Sequence, residues 1–87
     1  MENRDLIAAA ELIAAHSTLD AHVSAPGREV DIEFDGHLVV RLTPAGSNVA
    51  VQVFRRADLL ASEVRRRPRS AERLAERVEG ILQRATA

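Results

Sequence analysis

The stretch Val30–Phe54, VDIEFDGHLVVRLTPAGSNVAVQVF, decides the fold. Val30, Ile32 and Phe34 alternate with Asp31, Glu33 and Asp35. Leu38, Val40 and Leu42 alternate with Val39 and Arg41, and Val49, Val51 and Val53 alternate with Ala50, Gln52 and Phe54. A period of two marks strands with one buried face, so this stretch predicts a three-stranded antiparallel meander. Asp35-Gly36 signals the first turn, and Thr43–Asn48 is expected to be the second loop. Setting Phe34 opposite Leu38, Ile32 opposite Val40 and Val30 opposite Leu42 keeps these six apolar side chains on one face. That register needs a three-residue or bulged turn that includes His37, and it sets Asp31 opposite Arg41 on the other face. Carried to the third strand, it predicts Leu42 facing Val49, Val40 facing Val51 and Leu38 facing Val53.

Working outward, the period lengthens. Leu6, Ala9, Ala10 and Ile13 recur at spacings of three and four, which predicts a helix from Glu2 to about His16. Leu19–Ser24 fits either a strand or a continued helix, and Pro26-Gly27 ends either one. On the C-terminal side Ala57, Leu60 and Val64 predict a short helix from Ala57 to about Arg66, stopped by Pro68. Ser70 then caps a second helix carrying Leu74, Val78, Ile81 and Ala85 on one stripe. The sequence therefore predicts a single small α+β domain over residues 1–87. It has an N-terminal helix, a three-stranded antiparallel meander (four-stranded if Leu19–Ser24 joins it), and two C-terminal helices packed on one sheet face.

Composition narrows the function classes. The chain has no Cys, Trp or Tyr and only two Phe. Disulfides, thiolate metal sites and cysteine nucleophiles are excluded, and stacking on bases or sugars has little to work with. No long apolar run and no signal-peptide pattern occurs, which predicts a soluble, cytoplasmic domain with no membrane partner. His16, His22 and His37 form no ligand pair at metal-binding spacing, and surface histidines account for all three. Asp31, Glu33 and Asp35 alternate along one strand, as a solvated face does. No nucleophile elbow or glycine-rich phosphate loop is present. The expectation is therefore no enzyme, no cofactor, no metal and no small-molecule substrate.

Charge is more informative. All 12 basic residues are Arg, which together with the Ala content resembles the coding bias of a GC-rich, bacterial-like genome. Residues 1–54 are acidic and residues 55–87 basic, although the net charge is only −1. Arg55, Arg56, Arg65, Arg66, Arg67, Arg69 and Arg73 crowd the two predicted C-terminal helices and the join between them. They form a candidate contact for anions or an acidic partner. The helix–Pro–helix join has the outline of a helix-turn-helix, but Glu72, Glu76 and Glu79 interleave with Arg73 and Arg77 as on a salt-bridged solvent face.

The α–βββ–α order and the stretch SAPGREVDIEFDGHLVVRLTP (Ser24–Pro44) resemble small dimeric nucleoid-associated proteins of the YbaB/EbfC type, which implies DNA binding with little sequence preference. A double-stranded-RNA-binding domain has the same element order. The strand after Pro44 and the Arg-rich junction depart from the first pattern, and only Arg69-Ser70-Ala71 matches the basic helix start of the second. The predicted outer sheet face points elsewhere, because Val39, Ala50 and Phe54 lie there among polar residues. The leading expectation is a non-catalytic protein-interaction module that acts as a homodimer or docks on a larger protein through Val39, Ala50 and Phe54. The alternative is sequence-nonspecific nucleic-acid binding through the Arg-rich C-terminal third.

Overall fold

A computed structural model describes residues 3–87. In chain order the elements are α1 (Arg4–His16), β1 (Ala21–Ser24), β2 (Val30–Phe34), β3 (Leu38–Ala45), β4 (Asn48–Arg55), β5 (Asp58–Arg66) and α2 (Ala71–Thr86). The strands form one antiparallel sheet in the order β1-β2-β3-β4-β5. This corrects the expected three strands and two C-terminal helices: the described residues form five strands and one C-terminal helix.

The segment expected to be a helix, residues 57–66, is the nine-residue strand β5. Its helical spacing of Ala57, Leu60 and Val64 is outweighed by the edge that β4 offers, where a strand satisfies the backbone of both partners. The turn that joins them is Arg56-Ala57, with φ of 52° and 72°. Two left-handed central residues are what a type I′ hairpin turn requires, a role normally filled by Asn-Gly. β1 pairs with β2 over Ala21↔Phe34 to Ser24↔Asp31, which settles Leu19–Ser24 as largely strand.

β2 and β3 pair as Val30↔Leu42, Asp31↔Arg41, Ile32↔Val40 and Phe34↔Leu38, the register that the aliphatic alternation demands. The three-residue turn Asp35-Gly36-His37 has φ of 83° at Gly36 and 64° at His37. The β3–β4 register differs from expectation by two residues: Leu42 faces Val51, Val40 faces Val53 and Leu38 faces Arg55. The expected loop over 43–48 shrinks to Gly46-Ser47, and Thr43, Pro44 and Ala45 continue β3. Gly46, at φ 63°, occupies the first central position, as in a II′ turn. Pro44 is tolerated because β2 ends its pairing at Leu42, leaving no neighbour on that side to receive an N–H.

Val30, Ile32, Phe34, Leu38, Val40, Leu42, Val49, Val51 and Val53 are all buried on one face. Leu6, Ala9, Ala10 and Ile13 of α1 and Leu74, Ala75, Val78 and Ile81 of α2 join them in a single core. Ser70 caps α2, its hydroxyl accepting a hydrogen bond from the Arg73 N–H at 3.2 Å. Among the described residues, no helix is long and apolar enough to cross a membrane.

Val78 is fully buried and Arg77 exposed. Val78→Asp is therefore expected to unfold the domain, since an unpaired buried carboxylate costs several kcal/mol against a total of about 5–15 kcal/mol. Arg77→Ala is expected to change stability by less than about 0.5 kcal/mol in denaturant titration. Ala57→Gly should stabilise the chain by roughly 0.5–1 kcal/mol, because glycine adopts the left-handed turn without a Cβ clash.

Candidate functional site

Because α1 and α2 share one core with the inner face, no element among the described residues lies over the outer face of the sheet. Strand pairing arranges that face in rows across the sheet. The first runs His22, Glu33, Val39, Phe54, Leu59; the second Ser24, Asp31, Arg41, Gln52, Ser62; the third Thr43, Ala50, Val64. A polar middle row thus separates two apolar ends.

The middle row is fixed by one ion pair. Arg41 donates from Nε to Asp31 Oδ1 at 2.9 Å and from Nη2 to Oδ2 at 3.1 Å, a bidentate fork. Asp31 is only 7% exposed although it lies on the open face. Its hydrogen bond and its charge raise the Arg41 pKa above the ordinary arginine value, against a smaller opposing effect of burial. The Arg41 guanidinium carbon also lies 5.7 Å from the centre of the Phe54 ring, within cation–π range. One side chain therefore ties β2, β3 and β4 together on this face and holds Phe54 in place.

The candidate interface residues Val39, Ala50 and Phe54 are all half-buried on this face, with Val39 and Phe54 directly paired. Three further apolar residues adjoin them. Of the four large hydrophobic side chains that stay exposed, three are on β5: Leu59 at 53%, Leu60 at 39% and Val64 at 59%. Leu59 pairs with Phe54 and Val64 with Ala50, while Leu60 falls at an irregularity in the β4–β5 ladder. Reading residues 57–66 as a helix hid all three, although an apolar Leu-Leu pair directly after a strand was itself a signal.

The Arg residues do not form one patch. Arg55 ends β4 and Arg56 sits in the following turn, whereas Arg65 and Arg66 close the far end of β5. From Asp58, the partner of Arg55, to Arg65 is seven steps of strand at about 3.3 Å each, or about 23 Å, against a longest dimension of 31 Å. Arg67 and Arg69 lie in the β5–α2 connection and Arg73 in the first turn of α2. No helix-turn-helix exists, because the element before Pro68 is a strand. Arg65 is paired with Glu63, which also lies 3.7 Å from Arg84.

A second concavity, about 410 Å³, opens between the C-terminal ends of the two helices. Its floor is Ile13, Phe34, Leu38 and Leu82, and across its mouth His16 Nδ1 lies 2.8 Å from Glu79 Oε2. His22 lies 3.3 Å from Glu33, and His37 occupies its turn. Among the described residues, no three His, Cys, Asp or Glu side chains gather as a metal site would require.

No protein-family model, curated protein or solved structure matches the chain. The five-strand meander with one C-terminal helix also departs from the α–βββ–α order on which the resemblance to nucleoid-associated proteins rested.

Removing Arg41 leaves the buried Asp31 carboxylate without its partner, whereas removing Asp31 leaves an Arg41 head that is 40% exposed and can be hydrated. Arg41→Ala is expected to cost about 1–3 kcal/mol, and Asp31→Ala distinctly less, in matched denaturant titrations.

Proposed function

We propose that this domain is a non-catalytic protein-interaction module that acts as a homodimer through the outer sheet face and its β5 border. The observation that carries the reading is the concentration of Leu59, Leu60 and Val64, all exposed, beside the half-buried Val39 and Phe54 on a sheet face that no helix covers. Isolated exposed apolar residues need no explanation, but a contiguous patch rimmed by polar groups marks a place of association. The rim is present: Glu33 and His22 flank one side and Arg66 the other. A domain this small buries only about 60% of its unfolded surface, so association adds burial that the monomer lacks.

Light scattering coupled to size exclusion is expected to give twice the 9.5 kDa chain mass at micromolar concentration. Leu59→Glu and Val64→Glu alter side chains exposed in the monomer, so they should leave the fold intact and shift the mass toward monomer. A wild-type chain that stays monomeric and folded overturns the reading.

The division of the Arg residues between two ends of the sheet weighs against a nucleic-acid role. In titrations with duplex DNA and with RNA at about 50 mM salt, no saturable binding is expected. Saturable binding with a log–log salt slope of about −0.9 per phosphate, flattened by Arg66→Ala and Arg69→Ala, would establish the nucleic-acid reading instead.

A further inference from the structure

We infer that the second copy joins edge to edge, with β5 of one molecule pairing antiparallel with β5 of the other about a two-fold axis at Ser62. The inference rests on the homodimer reading above and specifies its geometry.

The direction of the backbone groups follows from the turns. The two-residue turn between β3 and β4 makes Ala45 and Asn48 a hydrogen-bonded pair. Such pairs alternate along an antiparallel ladder, so Ala50, Gln52 and Phe54 also turn their N–H and C=O groups toward β3. The intervening Val49, Val51 and Val53 turn theirs toward Arg65, Glu63 and Ala61 of β5. The Arg56-Ala57 turn gives the same phase independently, since it makes Arg55 and Asp58 hydrogen-bonded partners. Within β5, Ser62 and Val64 therefore point their backbone groups away from β4, while Leu60 is the extra residue where the ladder shifts register. β5 is the last strand of the sheet, so those groups face outward from its edge.

A two-fold axis keeps side chains on their own faces only if it passes through a residue, and in the middle of β5 the choices are Ala61, Ser62 and Glu63. Centred on Glu63, two carboxylates of like charge would lie directly opposite each other. Centred on Ala61, Val64 would face Asp58. Centred on Ser62, the midpoint of β5, Leu60 pairs with Val64 of the second copy, and Val64 with its Leu60. Two exposed apolar side chains are thereby brought together twice, and the outward groups of Ser62 meet those of its own copy in a hydrogen-bonded pair. The irregularity near Leu60 lies outside the central run Ala61–Glu63.

Two substitutions test this pairing. Ser62→Pro removes an N–H that β4 does not use, so the fold should survive while edge pairing is blocked. Ser62→Cys places the only two thiols of the dimer at a pair whose Cα atoms are about 5.5 Å apart, within the disulfide range of about 4.4–6.8 Å. Val64→Cys is the control, because its two copies would lie about 13 Å apart along the strands. The expected result is a wild-type dimer, a folded Ser62→Pro monomer, rapid cross-linking of Ser62→Cys under mild oxidation, and none for Val64→Cys. Phe54→Glu should remain dimeric. A dimer that persists in Ser62→Pro but dissociates in Phe54→Glu would overturn the edge pairing and leave the homodimer reading standing. Cross-linking of Val64→Cys in place of Ser62→Cys would do the same. A monomeric wild-type chain would overturn both. If Ser62→Pro does not fold, the two cysteine variants decide the question alone.

Discussion

Nine apolar side chains from three neighbouring strands are forced to one side by the two-residue period of the backbone, and that side must be kept dry. Everything else in the molecule answers to this demand. The chain has only α1 and α2 with which to cover five strands. Both are spent on the inner face, where Ala9, Ala10 and Ala75 are small enough at their buried positions to let two helices lie side by side. The rims are tied by polar pairs, His16 with Glu79 between the helices and Arg84 with Glu63 between α2 and β5. No helix remains for the outer face. An antiparallel sheet tolerates that arrangement when its second face is polar, and here the face is polar only in its middle.

The Asp31–Arg41 pair gives that middle row its character. A buried ion pair is weak evidence for stability, because desolvating two charges offsets much of their attraction. Its geometric effect is clearer. The fork fixes the Arg41 head between β2 and Phe54, so a charged group stands between the Val39–Phe54–Leu59 end and the Ala50–Val64 end. Two apolar ends held apart by a fixed polar row cannot be matched by an arbitrary greasy surface. In the edge-paired arrangement they meet across the seam instead, with Val64 of one copy against Leu60 of the other. Apolar side chains then run from Ala50 through Val64 of one molecule to Leu60, Phe54 and Val39 of its mate.

The central hairpin was legible because two independent signals agreed. Alternation set the face, Asp35-Gly36 set the turn, and the Asp31–Arg41 pair followed from the register they imply. The third strand was legible as an element but not in register, because Pro44 looked like a loop residue. Its ring is tolerated where β2 no longer pairs, a condition visible only once strand lengths are known. β5 was not legible. An edge strand packs only one of its sides, so its alternation is weak, and Ala57, Leu60 and Val64 happen to match the helical period. Arg56 and Ala57 carry no left-handed preference, so the sequence shows no sign of the tight turn they form. The candidate site divides the same way. Val39, Ala50 and Phe54 stood out because they break a polar alternation, whereas Leu59, Leu60 and Val64 were absorbed into a helix that does not exist.

Edge strands in proteins that stay monomeric usually carry charge or proline pointing outward, which discourages another strand from pairing. β5 has both kinds of protection available nearby and uses neither along its middle. Pro68 comes after the strand has ended, and Arg65 and Arg66 stand at its last two positions. The one charge within the run from Leu59 to Val64 is Glu63, which faces inward with Val51 as its cross-strand partner and is occupied by Arg65 and Arg84. Along this edge Ser62 and Val64 turn their backbone groups outward, and the exposed Leu60 and Val64 stand two residues to either side of a small hydroxyl. In a chain with 25 formally charged side chains, a free edge could readily have been blocked. On the edge-paired proposal, the same nine residues that complete the sheet within one molecule continue it into the next.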